Sequence, residues 1–316
     1  MWKHLVLAAI AASSLFIANA QETSEFKPSG KIDGKIYSNY STTVSGSPEK
    51  SGFAVERAYL GYTYNLSSEF SSRVLLDIGS DADNGRDAFF KNAVVYYTKN
   101  NLKIGFGLQD TYNFKMQEKV WGKRYIDKSF QDVYNFAYSA DLGATAQYTA
   151  GDISFDLGLY NGEGYKKTTN NNELRGSLGV TASLLDNKLL LRASDDYMED
   201  TVATNSIALF AGYMDDNFSI GGEYNMQTIF AKTADLDKSG LSLYAAANVS
   251  KKGSLFGRFD LLQVDNSVTK VDAKMIIFGY EHKLLKNLSA SANYRHYMAD
   301  GSDDIGRLFF NMEIKF

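Results

Sequence analysis

Residues 305–316 read IGRLFFNMEIKF and form the last stretch of the 316-residue chain. Apolar side chains occupy every second position from Leu308 to Phe316, and the polar residues Asn311 and Glu313 stand between them. Successive side chains of a β-strand point to opposite faces. The stretch therefore predicts a strand with one apolar face that includes the final residue, instead of the frayed polar tail that often ends a soluble chain.

The first twenty residues have the features of a secretory signal peptide. Lys3 supplies a positive charge, an apolar run follows it, and Ala18 and Ala20 form a small-x-small cleavage site. The apolar run is shorter than the roughly 18–20 residues that span a bilayer, which disfavours a membrane anchor. We therefore expect residues 1–20 to be cleaved during export.

The composition narrows the class of protein. The chain has no Cys, which excludes disulfide bonds and a lipidated N-terminal cysteine. Its formal net charge of −4 argues against nucleic acid as a partner. It contains 21 Tyr and 20 Phe but only 2 Pro, so strand-forming aromatics are common and the residue that interrupts strand pairing is rare. After the first twenty residues, no run of about 18 apolar residues predicts a transmembrane helix.

An alternation with a period of two recurs from residue 31 to the end of the chain. The repeating pieces are about ten to twelve residues long, as expected for strands with one apolar face. Strands of about 9–11 residues are long enough to cross a bilayer at a tilt. Clear examples are LKIGFGLQD from 102, ISFDLGLY from 153, LSLYAAANV from 241, SLFGRFDLL from 254 and LSASANYRHYM from 288.

Short turns and longer polar links alternate between these strands. The short turns are rich in Asn, Asp, Gly and Lys, and they lie at 65–68, 99–101, 150–152, 186–188, 215–217, 251–253 and 285–287. The longer links lie at 44–52, 81–87, 111–135, 161–172, 199–204, 231–239, 266–271 and 300–304. Together they separate sixteen strands. This arrangement predicts an all-β transmembrane antiparallel up-and-down β-barrel, with the short turns on the periplasmic side.

The barrel must close because a membrane surrounds it with hydrocarbon. In hydrocarbon an unpaired backbone group costs several kcal/mol, so the last strand must pair with the first, near residues 31–41. We expect residues 21–30 to be a short periplasmic segment and residues 31–316 to be one outer-membrane barrel. Phe316 would then lie at the periplasmic rim, in an aromatic girdle with Tyr62, Tyr64, Tyr148 and Phe218. The alternative, a soluble two-sheet protein, does not explain the alternating turn lengths.

Three stretches resemble the phosphate-selective porin O and P family, especially its members from Bacteroidota: GFAVERAYLGYTY at 52–64, WGKRYIDKSFQDVYNFAYSADLG at 121–143 and YNGEGYKK at 160–167. The resemblance implies a sixteen-stranded outer-membrane porin of a Gram-negative bacterium, assembled as a homotrimer, with a long third loop folded into the pore. It also implies that Phe316 is the signal presented to the barrel assembly machinery. The family's lysine cluster is not visible here, so the resemblance identifies no substrate.

Charged residues on the polar strand faces are the candidates to line a lumen. A barrel of sixteen strands leaves a water-filled channel for passive diffusion of small hydrophilic solutes and ions. An excess of basic residues predicts a weak anion preference, whereas pairing across the strands would leave the channel nearly unselective. The basic candidates are Arg57, Arg73, Lys103, Arg175, Arg192, Arg258, Arg295 and Arg307. The acidic candidates are Asp77, Asp141, Asp156, Glu223, Asp260 and Glu313.

The link at 111–135 is too long for an ordinary hairpin and is rich in aromatic residues, which favours a packed and functional loop. We predict that this extracellular loop folds inward and narrows the channel. The alternative is a loop that lies over the outer rim or in a trimer contact. The candidates for the pore constriction are Lys115, Lys119, Lys123, Arg124 and Lys128.

Other chemical signals are weaker. DADNGRD at 81–87 resembles a calcium loop, but Gly85 stands where a third oxygen ligand is needed, and no Glu follows at the required spacing. We therefore expect no metal site. Acidic clusters, including Asp195 and Asp196, are expected to form an outer surface that shares divalent cations with lipopolysaccharide.

Catalysis would need a nucleophile or an activated water beside a base. After the predicted signal peptide the chain offers only His282 and His296, and no Ser stands beside them in a recognisable setting. We expect no enzyme activity and no cofactor. A binding or adhesion barrel with a sealed pore is the main alternative to a channel.

Overall fold

The computed structural model describes residues 26–80, 85–167, 173–199, 202–230, 235–266 and 269–316. The predicted signal peptide and residues 81–84 of the calcium-like stretch lie outside these ranges. Over the described residues the chain is a closed antiparallel barrel of sixteen strands, as predicted. The strands are β1 Ser29–Ser45, β2 Ser51–Asn65, β3 Phe70–Ser80, β4 Arg86–Lys99, β5 Leu102–Asp110, β6 Ala140–Ala150, β7 Ile153–Tyr160, β8 Arg175–Leu184, β9 Leu189–Met198, β10 Ala203–Met214, β11 Phe218–Phe230, β12 Leu236–Asn248, β13 Gly253–Asp265, β14 Lys270–Leu285, β15 Leu288–Ala299 and β16 Ile305–Lys315.

The barrel closes where β1 pairs with β16. The Gly34 N–H donates to the Phe316 carbonyl at 2.8 Å, and the Phe316 N–H donates back to the Gly34 carbonyl at 3.0 Å. The Phe316 ring lies over Gly34, so close that a Cβ at this position would collide with the ring. The predicted pairing of the last strand with the first is confirmed, and no free sheet edge remains at this seam.

The short turns and the longer links between strands lie at the positions that the sequence predicted. The turn between β8 and β9 contains Leu185, Asp186 and Asn187 with φ of 53°, 57° and 64°. Asp and Asn tolerate this left-handed backbone better than other non-glycine residues, which explains their use in a tight turn. All the short turns lie at one rim of the barrel, since consecutive strands are antiparallel.

Side chains alternate between an apolar outer face and a polar inner face. In β16, Phe310 is 56% exposed and Phe316 is 59% exposed, whereas Asn311 is 3% exposed. Tyr148 and Phe218, near the short turns, are also exposed on the outside. An apolar outer band with aromatic residues near its edge is the surface expected of a barrel in lipid.

A hydrophobic core lies inside the barrel. It forms between the wall and loop 3, which we define as residues 111–139. Loop 3 contains two short helices, α1 Lys115–Trp121 and α2 Phe130–Val133. Among the described residues, neither helix has the length and hydropathy needed to cross a bilayer. The buried core comprises Tyr37, Val120, Trp121, Tyr125, Ile126, Leu190, Phe210, Tyr244, Phe256, Met275 and Ile277.

Candidate functional site in the barrel interior

Hydrogen bonds from side chains of the wall to the backbone of loop 3 attach this loop to one half of the inner wall. Side chains of β11 to β16 donate to loop carbonyls that would otherwise be buried without a partner. With the side-chain donor named first and the loop carbonyl second, the pairs are Gln227 to Phe136 at 3.2 Å, Lys238 to Tyr134 at 2.8 Å, Tyr244 to Gln117 at 3.1 Å, Arg258 to Lys128, Arg295 to Ile126 at 2.6 Å and Asn311 to Tyr125 at 3.3 Å.

A buried ion pair adds to this attachment. Lys123 Nζ lies 3.1 Å from Glu281 Oε1 and 3.2 Å from the hydroxyl of Ser254. The Tyr125 hydroxyl donates to Glu281 Oε2 at 2.7 Å. Burial raises the pKa of the Tyr125 phenol and the Glu281 carboxylate raises it further, so Tyr125 remains a donor. Glu281 therefore accepts two hydrogen bonds from adjacent parts of loop 3.

Trp121 packs the end of α1 against the wall. Its indole N–H donates to the Asp127 carbonyl at 3.0 Å, which closes the loop on itself. The Trp121 ring meets Tyr244 and Phe256 edge to face, with ring centres 5.6 and 6.1 Å apart. Loop 3 therefore covers much of the inner face of the later strands, and its buried core also includes Tyr37 of β1.

The structure separates the five loop candidates into different environments. Lys123 is 6% exposed and points to the wall, so it does not face the passage. Lys119 is exposed, and Lys115 Nζ lies 3.5 Å from Asp110 at the end of β5. A network on loop 3 contains the remaining two: Arg124 lies 3.3 Å from Glu118 and 3.5 Å from Asp132, and Lys128 lies 3.2 Å from Asp132.

Glu118 is the carboxylate of this network that lies nearest to Arg124. Burial raises the pKa of Glu118, and the neighbouring Arg124 guanidinium offsets part of that increase. The charge of the network therefore depends on pH above the range in which an exposed Glu titrates.

A second group of charges lies on β2 to β4, and of its charged residues Lys91 was missed from the sequence. Lys91 Nζ is 5.6 Å from the Tyr59 ring centre and 5.5 Å from the Tyr165 ring centre. The Tyr165 hydroxyl donates to Asp77 at 2.5 Å, and Arg57 lies 3.8 Å from the same carboxylate. A register shift in the pairing of β3 with β4 makes room for Lys91, and simple alternation does not reveal such a bulge.

Most of the predicted arginines are paired with carboxylates in the wall. Arg73 with Asp33, Arg192 with Asp156 and Arg258 with Asp260 each form two-point contacts, with distances between 2.6 and 2.9 Å. Bidentate geometry of this kind orients both side chains firmly. These arginines therefore add little free charge to the lumen.

Other predicted lumen residues have different partners. Arg295 and Arg307 lie over the Phe309 ring, at 3.8 and 5.8 Å from its centre, and Lys103 lies 4.3 Å from the Tyr96 ring centre. Arg175 pairs with Asp196, and Asn113 of loop 3 also donates to Asp196 at 3.1 Å. The expectation that Asp196 belongs to an acidic outer surface is wrong, because its side chain is buried and paired with the buried Arg175.

The remaining acidic candidates have local partners. Asp141 accepts the N–H of Leu142 at 2.8 Å and that of Gly162 at 3.0 Å. Glu223 accepts from the Asn225 amide at 3.1 Å, and Glu313 lies 2.7 Å from Lys315.

The two histidines lie apart from this interior. His296 Nε2 is 3.4 Å from Asp304, and its ring stacks on Tyr294. His282 Nδ1 is 3.3 Å from the Tyr280 hydroxyl. Within the described ranges, no group of three or more His, Asp or Glu side chains is arranged to hold a metal ion.

The likeness to known proteins is structural. No family model matches the chain, and no curated protein matches it in sequence. The anion-selective porin from Comamonas acidovorans has a TM-score of 0.72 at 13% identity, covering 92% of this chain and 100% of that one. Outer-membrane expressed OmpT of Vibrio cholerae has a TM-score of 0.70 at 13% identity, covering 94% and 100%. The chain has the fold of outer-membrane porins.

The outer membrane channel DcaP of Acinetobacter baumannii extends this likeness, with a TM-score of 0.67 at 10% identity over 94% of this chain and 100% of that one. At these identities the comparison establishes the barrel fold. The narrower resemblance to the phosphate-selective O and P family stays a prediction.

Proposed function

We propose that the protein is an outer-membrane porin, a water-filled channel for passive diffusion of small hydrophilic solutes and ions with a weak preference for anions. The observation that carries this proposal is the position of loop 3 against one half of the wall. Its contacts with β11 to β16 hold it on that side, and the charged side chains Arg57, Asp77 and Lys91 lie on β2 to β4. A sixteen-stranded barrel is wide enough for an aqueous passage beside such a loop.

Two lysines without an ion pair support the anion preference. Lys91 and Lys166 take part in no ion pair among the described residues, and each lies near an aromatic ring instead. In the loop network Arg124 and Lys128 are balanced by Glu118 and Asp132, so the excess of positive charge comes from the two lysines. A small excess of positive charge has a large effect in a narrow passage with low-dielectric walls. The likeness in fold to a porin described as anion-selective agrees with this proposal.

The cellular setting belongs to the same proposal. We place the protein in the bacterial outer membrane, exported with a cleaved signal peptide spanning residues 1–20 and inserted by the barrel assembly machinery, with Phe316 as the recognised C-terminal residue. Its exposed apolar outer face would contact lipid and lipopolysaccharide. A homotrimer is the proposed assembly, and one structure of Vibrio cholerae OmpT is described as a trimer form.

Planar-bilayer recording of the purified protein tests this function. We expect stepwise conductance and, in a KCl gradient, a reversal potential of the sign that indicates chloride preference. A double variant, Arg124→Gln with Lys128→Gln, should shift the reversal potential toward cations. Lys251→Gln, in the exposed turn between β12 and β13, is the matched control and should leave it unchanged. A folded protein that shows no conductance would instead support a sealed binding barrel.

Removal of residues 115–130 tests the role of loop 3 separately. These residues include α1 and much of the contact with the wall. We expect the deletion to raise single-channel conductance, because the interior loses its largest obstruction. Unchanged conductance in a folded deletion variant would contradict the assignment of loop 3 as the constriction.

A further inference from the structure

We infer that the passage contains a binding subsite for an organic anion with a planar ring beside its carboxylate, formed by Lys91 of β4, Tyr59 of β2 and Tyr165 of the link between β7 and β8. The inference rests on the proposed function, since the solute reaches these residues only through an open channel. It goes further by naming a solute class and the residues that recognise it.

Lys91 supplies an ammonium group whose N–H donors are not used in a direct ion pair. Among the described residues its ammonium group has no carboxylate partner, and it lies 5.6 Å from the Tyr59 ring centre and 5.5 Å from the Tyr165 ring centre. An ammonium group above aromatic faces keeps its charge and its three N–H donors. A carboxylate that enters the passage would form the charge-assisted hydrogen bonds that Lys91 lacks.

The neighbouring carboxylates already have partners. Asp77 accepts from the Tyr165 hydroxyl at 2.5 Å and lies 3.8 Å from Arg57. Glu118 of loop 3 and Asp110 at the end of β5 act electrostatically on Lys91, and each has a basic partner: Arg124 lies 3.3 Å from Glu118 and Lys115 lies 3.5 Å from Asp110. Arg124 is close enough to interact electrostatically with both Lys91 and Tyr59. The charges around Lys91 therefore repel an incoming anion less than the number of carboxylates suggests.

Aromatic rings connect the wall to the loop at this level. Tyr37 and Tyr59 meet edge to face with ring centres 5.8 Å apart, and Tyr37 also approaches Tyr125 of loop 3 at 6.4 Å. Tyrosine offers a large contact area at low conformational cost, and its ring attracts other rings in offset or edge geometry. An inorganic anion can use only the charge of Lys91, whereas a ring-bearing carboxylate can also contact the tyrosines.

Block of the chloride current by three carboxylates tests the subsite. Benzoate carries a planar ring, cyclohexanecarboxylate carries a ring that is not planar, and acetate carries none. In planar bilayers we expect benzoate to halve the current at a concentration about tenfold below that of either other acid, the ratio that about 1.4 kcal/mol of added contact gives. Lys91→Gln should raise the benzoate concentration needed by about tenfold or more.

Two variants make the result specific to the subsite. Lys91→Met keeps an apolar stem over the two rings and should lose the benzoate block as fully as Lys91→Gln. Agreement between the two variants excludes a folding defect in either one as the cause. Lys251→Gln should keep the wild-type block. Circular dichroism and heat-modified gel mobility show that each variant is folded.

The outcomes separate this inference from the function it rests on. A conducting channel that benzoate and acetate block equally, or a Lys91 variant that keeps the wild-type benzoate block, overturns the subsite and leaves the porin function intact. A folded protein that never conducts refutes the porin function itself.

Discussion

Replacing Glu281 with Gln is expected to detach loop 3 from the barrel wall. Glu281 accepts from Lys123 at 3.1 Å and from Tyr125 at 2.7 Å, and both charged side chains are nearly buried, at 7% exposed for Lys123 and 10% for Glu281. Gln has almost the same volume and can still accept from Tyr125. The substitution removes only the negative charge, so the Lys123 ammonium is left buried without its carboxylate.

The expected cost follows from the geometry. Two unit charges 3.1 Å apart attract by about 5 kcal/mol at an effective dielectric constant of about 20. Loss of one partner from a buried pair costs about 3–5 kcal/mol, because the other charge stays desolvated. The double variant Lys123→Met with Glu281→Gln removes both charges. It should therefore be more stable than Glu281→Gln alone, although it has lost the same ion pair.

Tryptophan fluorescence gives a direct readout of loop 3. The sequence contains 2 Trp, and Trp2 lies in the predicted signal peptide, so Trp121 of loop 3 reports alone in the exported chain. In a urea titration, Glu281→Gln should shift the Trp121 transition to clearly lower urea. The matched control is Glu69→Gln, which breaks the exposed pair with Lys99 and should leave the transition nearly unchanged. Equal transitions for the two variants would refute the reasoning.

Three further perturbations probe the seam, the outer face and the loop network. Gly34→Val should destabilise the barrel by about 1–3 kcal/mol in urea denaturation, because its side chain displaces the Phe316 ring, whereas Gly52→Val enters open space and should be nearly neutral. Leu209→Arg, on the outer face of β10, should cost about 2–4 kcal/mol for the protein folded in a bilayer, and a neutral result would contradict a lipid-facing position. Because burial raises the pKa of Glu118, this carboxylate begins to take up a proton above the pH range of an exposed Glu, and the passage then loses a negative charge. The chloride preference should therefore rise as the pH falls. In reversal-potential measurements, Glu118→Gln should show a weaker dependence on pH.

The strand order was predictable because one physical rule acts along the whole chain. Every strand presents its outer face to the same apolar environment, so the period of two survives from β1 to β16. Three segments, 88–98, 189–198 and 272–283, could be read with either face inward. In β14 the reason is visible: Met275 and Ile277 point inward and are buried in the core beneath loop 3, so both faces of the strand are apolar.

The candidate site was less predictable, because it depends on how a loop meets a distant wall. Spacing within residues 111–135 does not distinguish Lys123, which is buried against Glu281, from the exposed Lys119. The partner of Lys123 lies 158 positions away in the chain. Lys91 was missed for a different reason, since a single extra residue in the β3–β4 pairing changes which side chain turns inward.

The packing of loop 3 explains why the two halves of the barrel interior carry different side chains. Loop 3 must bury its apolar residues against β9 to β16, so the inner faces of those strands carry apolar side chains, together with polar ones that include arginines bound to loop carbonyls. Those arginines are held in the packed half, where they are removed from the passage. In the proposed channel, we therefore expect the charges that act on a solute to come from the exposed side of loop 3 and from the other half, where Lys91 has no carboxylate partner among the described residues. We therefore expect ion preference in this barrel to depend more on a few unpaired lysines than on the total number of basic residues that point inward.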